Sequence, residues 1–357
     1  MTTVTTAPAV RPGSDAVRAR RNGLLTGNSG RTGGLLVAGI VLLGACALSF
    51  SVGSYPVSPA DIVPALVSPV DSDVDRIVRH VRLPRTVTGL LAGVGLGTAG
   101  AVMQGLTRNP LAGPGILGIN AGASFAVVLA MAGIGLTSVG GHLWFAFAGA
   151  AVSAVFVHTL GSLGRGGATP VKLALAGAAF TAMIGSLTTA VTLLDAATLE
   201  EYRFWAVGSL TRASTGELGT VAPFVVLGLG VALAVSRRLN TVALGDDLAR
   251  GLGTRLVTTR ILAAVAVLLL AGAATAVAGP IVFVGLAVPH IARALAGPDY
   301  RWIMPWCVLL APTVLLLADV LGRVLVRPGQ LQVGIVLGLV GAPFFLHLVR
   351  NRKVAQL

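Results

Sequence analysis

Ten stretches of mostly apolar residues, each close to the length of about 20 that a helix needs to cross a bilayer, divide the chain. They lie at 34–53, 86–106, 115–136, 143–163, 171–194, 218–235, 257–278, 280–296, 302–321 and 331–349. No other feature restricts the fold as strongly, because backbone inside a membrane must satisfy its own hydrogen bonds and so becomes helical. The stretch at 280–296 is the weakest of the ten. Gly279-Pro280 and Pro289 interrupt it, and broken or re-entrant backbone at membrane depth is tolerated only where protein or a water-filled cavity surrounds it. The expected fold class is all-α, a polytopic membrane protein of about ten transmembrane helices.

Composition agrees with that reading. Of 357 residues, 55% are hydrophobic and 11% charged, against roughly 25% charged in soluble domains. With 47 glycines and only 5% aromatics, close helix packing through small residues is expected. The net charge of +13 would suggest nucleic acid in a soluble protein. In a polytopic one it reflects Lys and Arg collected on cytoplasmic loops. An even number of spans places both termini on one side, with the loops near 107–114, 164–170, 236–256 and 297–301. That side holds 18 of the 26 Lys and Arg but only four acids, Asp15, Asp246, Asp247 and Asp299. Both termini are therefore expected in the cytoplasm of a bacterial cell whose plasma membrane the chain crosses. Residues 1–33, rich in Thr, Pro, Gly and Arg, predict a disordered cytoplasmic tail; 34–350 form the membrane domain, and 351–357 a second cytoplasmic tail.

The sequence holds no catalytic constellation. It has no Gly-rich loop ending in Gly-Lys-Ser/Thr, no HExxH, no CxxC and no Gly-x-Ser-x-Gly. Its five histidines, His80, His142, His158, His290 and His347, are scattered without ligand spacing. Cys46 and Cys307 each fall inside an apolar stretch and read as packing residues. No catalytic residue, metal site or cofactor is expected. Span interiors are nearly free of the ionisable groups that a secondary carrier needs at mid-membrane. The main exception, Asp319, lies one turn from Arg323, and an i, i+4 pair neutralises both.

Two charged stretches stand out. RIVRHVRLPR, residues 76–85, falls on the outer side, with Pro84 in the first turn of span two. On the cytoplasmic side, LGDDLARGLG places Leu244, Leu248 and Leu252 on one stripe of a short helix, with Gly245, Gly251 and Gly253 as breaks. Adjacent acids and a lack of aromatics suit a partner's groove better than a lipid surface. The Asn109–Gly115 stretch NPLAGPG reads as a structural reversal.

Four long segments then carry a resemblance to the permeases of the FecCD type. They are RLPRTVTGLLAGVGLGTAGAVMQGLTRNPLAGPGILGINAGA (82–123), ALGDDLARGLG (243–253), AGPIVFVGLAVPHIAR (278–293), and LLLADVLGR with LQVGIVLGLVGAPFFLHL (315–348). Such permeases are the membrane subunits of ABC importers for ferric siderophores, haem and cobalamin. The resemblance implies a type II ABC importer permease that works with a second permease subunit, in a homodimer or heterodimer. Two cytoplasmic ATP-binding subunits would hydrolyse ATP, and an extracytoplasmic binding protein would deliver a ferric siderophore. It further implies that Leu244, Gly245, Asp246, Asp247, Leu248, Ala249, Arg250, Gly251, Leu252 and Gly253 couple to the ATPase. Arg82, Arg85 and Arg323 match positions that receive acids of the binding protein, whereas Arg76 and Arg79 are additions. The path is expected along spans two, five and eight. Haem or cobalamin import, or a stand-alone secondary carrier, are the alternatives.

Overall fold

The computed structural model describes residues 23–53, 55–136, 139–164, 169–327 and 329–351. Ten helices build the bundle: α1 Gly27–Ser51, α2 Leu83–Thr107, α3 Ile119–Ile134, α4 Val139–Ser162, α5 Pro170–Leu194, α6 Thr215–Ala243, α7 Leu256–Ala278, α8 Val284–Ala296, α9 Tyr300–Leu325 and α10 Val333–Asn351. Seven helices are long and apolar enough to cross a membrane, α2 being counted with its lead-in from Asp73, and α3, α8 and α10 contribute shorter apolar segments. No strand occurs among the described residues.

Glycine explains why α2 stands at the centre, with α6, α7, α8 and α9 packed around it. Along α2, a Cβ at Gly93 would strike the backbone of Pro312, and one at Gly100 would strike the carbonyl of Gly285. Backbones this close are possible only where no side chain intervenes, and packing of this kind holds helices together without a hydrophobic driving force. A second group, α3, α4 and α5, joins the first mainly through α4 against α7, while α1 lies on α9.

Helix limits differ from those read in the sequence at two places. The first helix starts at Gly27, within the stretch expected to be a disordered tail. Its entry is fixed by N–H groups of Leu24 and Leu25, which donate to the carbonyls of Ala294 and Leu295, both at 2.9 Å. Helix α6 continues to Ala243 instead of ending near 235, because Ser236, Leu239 and Val242 remain on its buried face. The cytoplasmic loop is correspondingly shorter than 236–256. Residues 1–22 and 352–357 of the expected tails lie outside the described residues.

The predicted break before span eight is present. Helix α7 stops at Ala278, Gly279 and Phe283 both take positive φ, and α8 resumes only at Val284. At 13 residues, α8 is about 20 Å long, too short to span alone. Neighbouring segments bond to the backbone around the break: Ser209 N–H donates to the Ala278 carbonyl at 2.8 Å, and Gly334 N–H to the Gly208 carbonyl at 3.3 Å.

Candidate functional site

The bundle carries its polar chemistry at its two ends. At one, the rim end, α1, α2 and α9 finish or begin together. Arg85 of α2 grips Asp319 of α9 in a bidentate pair, Nε to Oδ2 at 2.9 Å and Nη2 to Oδ1 at 2.8 Å. Arg323 holds the same carboxylate at 2.9 Å from one turn further along α9, and Arg85 Nη1 donates to Gln330 Oε1 at 2.7 Å.

Two guanidiniums, those of Arg85 and Arg323, share that single carboxylate, and backbone carbonyls at and beyond the C-terminus of α1 hold Arg323 further and take up the third, Arg82. The last carbonyls of α1 have no partner within the helix and carry the negative end of its dipole. Arg323 donates to the Ser49 carbonyl at 2.9 Å. Arg82 donates to Val52 at 2.6 Å and to Tyr55 at 3.1 Å. Arg82, Arg85 and Arg323 are only 4%, 5% and 3% exposed.

The structure thus unites these three arginines but turns them inward, and it does not present them as free surface charge. Asp319 and the α1 carbonyls draw them in. The arginines exposed at this end include Arg79 and Arg327. Arg76 is also exposed, yet it is engaged by Asp71 at 3.1 Å and Asp73 at 3.7 Å. A five-residue π turn, Val78–Arg82, carries both the outward Arg79 and the inward Arg82. It re-aims side chains within an otherwise continuous helix.

Beside the rim lies a cavity of about 900 Å³ whose walls include Thr189, Leu193, Tyr202, Arg203, Gln330 and Gln332. These come from α5, a short helix Ala196–Ala206 and the approach to α10. Of the spans expected along the path, two, five and eight, the second and fifth differ in exposure. Helix α2 is buried inside the chain along most of its length, since its glycines serve packing, whereas α5 and α10 leave apolar faces uncovered.

The opposite, or loop, end carries the leucine stripe. Gly245 takes a φ of +109° and starts a short helix, Asp246–Gly251, which Gly253 at +78° closes. Ala249 is fully buried with Val242 and Leu256. That contact turns Leu244, Leu248 and Leu252 outward at 59%, 62% and 63% exposure. Asp246 anchors the turn by pairing with Arg260 at 2.7 Å and with Arg108 at 3.3 Å. Arg108 is itself held left-handed at the end of α2, followed by the Asn109 turn in which Asn109 Oδ1 accepts the Leu111 N–H at 2.9 Å. Asp247 and Arg250 pair with each other at 3.0 Å in solvent, and Gly251 is exposed.

Sequence reasoning missed a further polar group at this end: Gln104, Asn240, Arg293 and Tyr300, which meet from four helices. Only the rarity of Gln, Asn and Arg near apolar stretches could have signalled it. Among the described residues, no three His, Cys, Asp or Glu side chains cluster as a metal site.

A family model described as the FecCD transport family matches residues 40–351. The chain belongs to that family. Among the relatives of this FecCD chain is the ferric enterobactin transport system permease protein FepD of Escherichia coli K12, 44% identical over 330 residues. The match covers 92% of this chain and 98% of FepD. The Fe(3+)-citrate import system permease protein YfmD of Bacillus subtilis is 41% identical over 89% of this chain and 94% of its own. The hemin transport system permease protein HmuU of Yersinia pestis is 35% identical over 77% and 83%. A solved structure of a metal-chelate type ABC transporter in an inward-facing conformation superimposes with a TM-score of 0.78 at 28% identity, over 89% of this chain and 99% of that one. The FecCD chain is thus a multi-pass membrane protein with the fold of an ABC importer permease.

Proposed function

We propose that the chain forms the membrane path of an ATP-driven importer for a ferric siderophore. It would act with a second permease subunit, two cytoplasmic ATP-binding subunits and an extracytoplasmic binding protein. The observation that carries this reading is the leucine stripe at 244, 248 and 252, held outward by a buried Ala249. Three exposed leucines, Leu248 on a braced short helix and Leu244 and Leu252 flanking it, are a knob for an apolar groove. The relatives FepD and YfmD, named for ferric enterobactin and Fe(3+)-citrate transport, support an iron chelate as cargo. ATP hydrolysis belongs to the partner, and the loop end faces the cytoplasm.

At the rim end, the outward Arg79 and Arg327 offer positive charge to the binding protein. Arg82, Arg85 and Arg323 shape that docking face from beneath. Substituting Leu248→Arg places a charge in the stripe without touching the buried contact. The tagged variant should reach the membrane at the wild-type level, lose its copurifying ATPase, and stop taking up radioactive iron supplied as the ferric enterobactin complex. Undiminished recovery of the ATPase with Leu248→Arg would remove the docking role.

A further inference from the structure

A row of polar groups crosses the interior between the leucine-bearing loop and the central helix. Asn240, in the last turn of α6, donates through Nδ2 to Asp299 Oδ1 at 2.6 Å, and its own Oδ1 accepts the N–H of Tyr300 at 2.9 Å. Arg293 Nη2 on α8 donates to the Tyr300 hydroxyl at 3.2 Å and to Gln104 Oε1 on α2 at 3.2 Å. Gln104 Nε2 ends the row on the Leu286 carbonyl at 3.1 Å. Tyr300 and Gln104 are buried.

Arg293 differs in kind from the arginines at the rim. Among the described residues it pairs with no carboxylate. Its holds are a phenol oxygen, an amide oxygen and the Tyr300 ring at 6.0 Å. A neutral acceptor binds a guanidinium less strongly than a bidentate carboxylate does, so the Arg293 contact can exchange partners more readily than the Arg85–Asp319 pair at the rim. The row also begins three residues before α6 gives way to the loop at Leu244.

We propose that Asn240, Tyr300, Arg293 and Gln104 form a breakable latch that passes displacement of the loop to α2, with Tyr300 and Arg293 as positioning residues for transport. The proposal rests on the reading of the 244–253 loop as the ATPase contact. When the loop moves, the end of α6 moves with it, and Asn240 carries the first turn of α9. The Tyr300 hydroxyl then shifts against Arg293, and α8 and α2 are free to tilt as a pair.

Two substitutions test the latch in the assembled transporter. Tyr300→Phe removes one oxygen and keeps the ring. The ATPase should still copurify and hydrolyse ATP, while uptake of iron as the ferric enterobactin complex falls by about tenfold, the factor that one hydrogen bond to a charged group commonly carries. Gln104→Glu gives Arg293 a carboxylate and should fasten the latch. The purified complex should melt at a temperature no lower than wild type, yet import should slow. A merely structural row predicts that Gln104→Glu is stable and fully active, and that result overturns the proposal. Wild-type uptake by Tyr300→Phe overturns it as well. Loss of ATPase binding in Tyr300→Phe would also count against it, whereas failure of the docking reading shows separately in Leu248→Arg.

Discussion

Asp319 sits between two guanidiniums at 1% exposure, where an ion pair contributes little net stability but its disruption costs a great deal. Substituting Asp319→Asn leaves Arg85 and Arg323 buried without a counter-charge and should destabilise the folded protein by about 3–5 kcal/mol. Thermal unfolding of the purified variant measures this. A melting temperature equal to wild type would mean that neutral acceptors, Gln330 for Arg85 and the α1 carbonyls for Arg323, suffice to hold both cations. The pair between Asp319 and Arg323 was legible because helical spacing announces it. Arg85 was not, since 234 residues separate it from Asp319 and only the packing of α2 on α9 joins them. Sequence reading also could not foresee that Arg82 would spend its donors on carbonyls, because every residue type offers a carbonyl.

Among the elements, the short helix Ala196–Ala206 depends most on a single group. Asp195 caps it by accepting the Thr198 N–H at 2.9 Å and the Thr198 hydroxyl. The hydroxyl bond, followed by the backbone bond, lowers the carboxyl pKa below its ordinary value. A lowered folded-state pKa adds stability above the unfolded value, about 3.9 for aspartate, and that stability is lost as pH falls through the folded one. Protection of the Thr198 and Leu199 amides, corrected for intrinsic exchange, should therefore hold steady from neutral pH down to about 5 and fall only below about 4. A loss centred near neutrality would point to a different group. The break before α8 was readable from Gly279 and Pro280. The overrun of α6 was hidden, because Arg237 and Arg238 interrupt the hydropathy while the helix continues through them to Ala243.

For the molecule as a whole, the topology we propose from the charge distribution has the loop end inside and the rim outside. Native Cys46 is half-buried within α1 and Cys307 is buried, so an impermeant maleimide should find little to label on the wild-type protein in intact cells. Ser68→Cys, exposed at the rim end, should react, and Arg255→Cys, exposed beside the short loop helix, should react only after lysis. Labelling in the reverse order would invert the topology. The unequal fastening of the two ends also has a mechanical consequence. Helices α2 and α9, joined at the rim by buried carboxylate pairs and at the loop end through Arg293 and its neutral acceptors, form a pair of cantilevers whose stiffness declines along the membrane normal. A given push applied at the loose tips travels furthest there and fades toward the anchored ones. Such a body can open wide at its loop end while its rim keeps a constant shape for whatever lands on it.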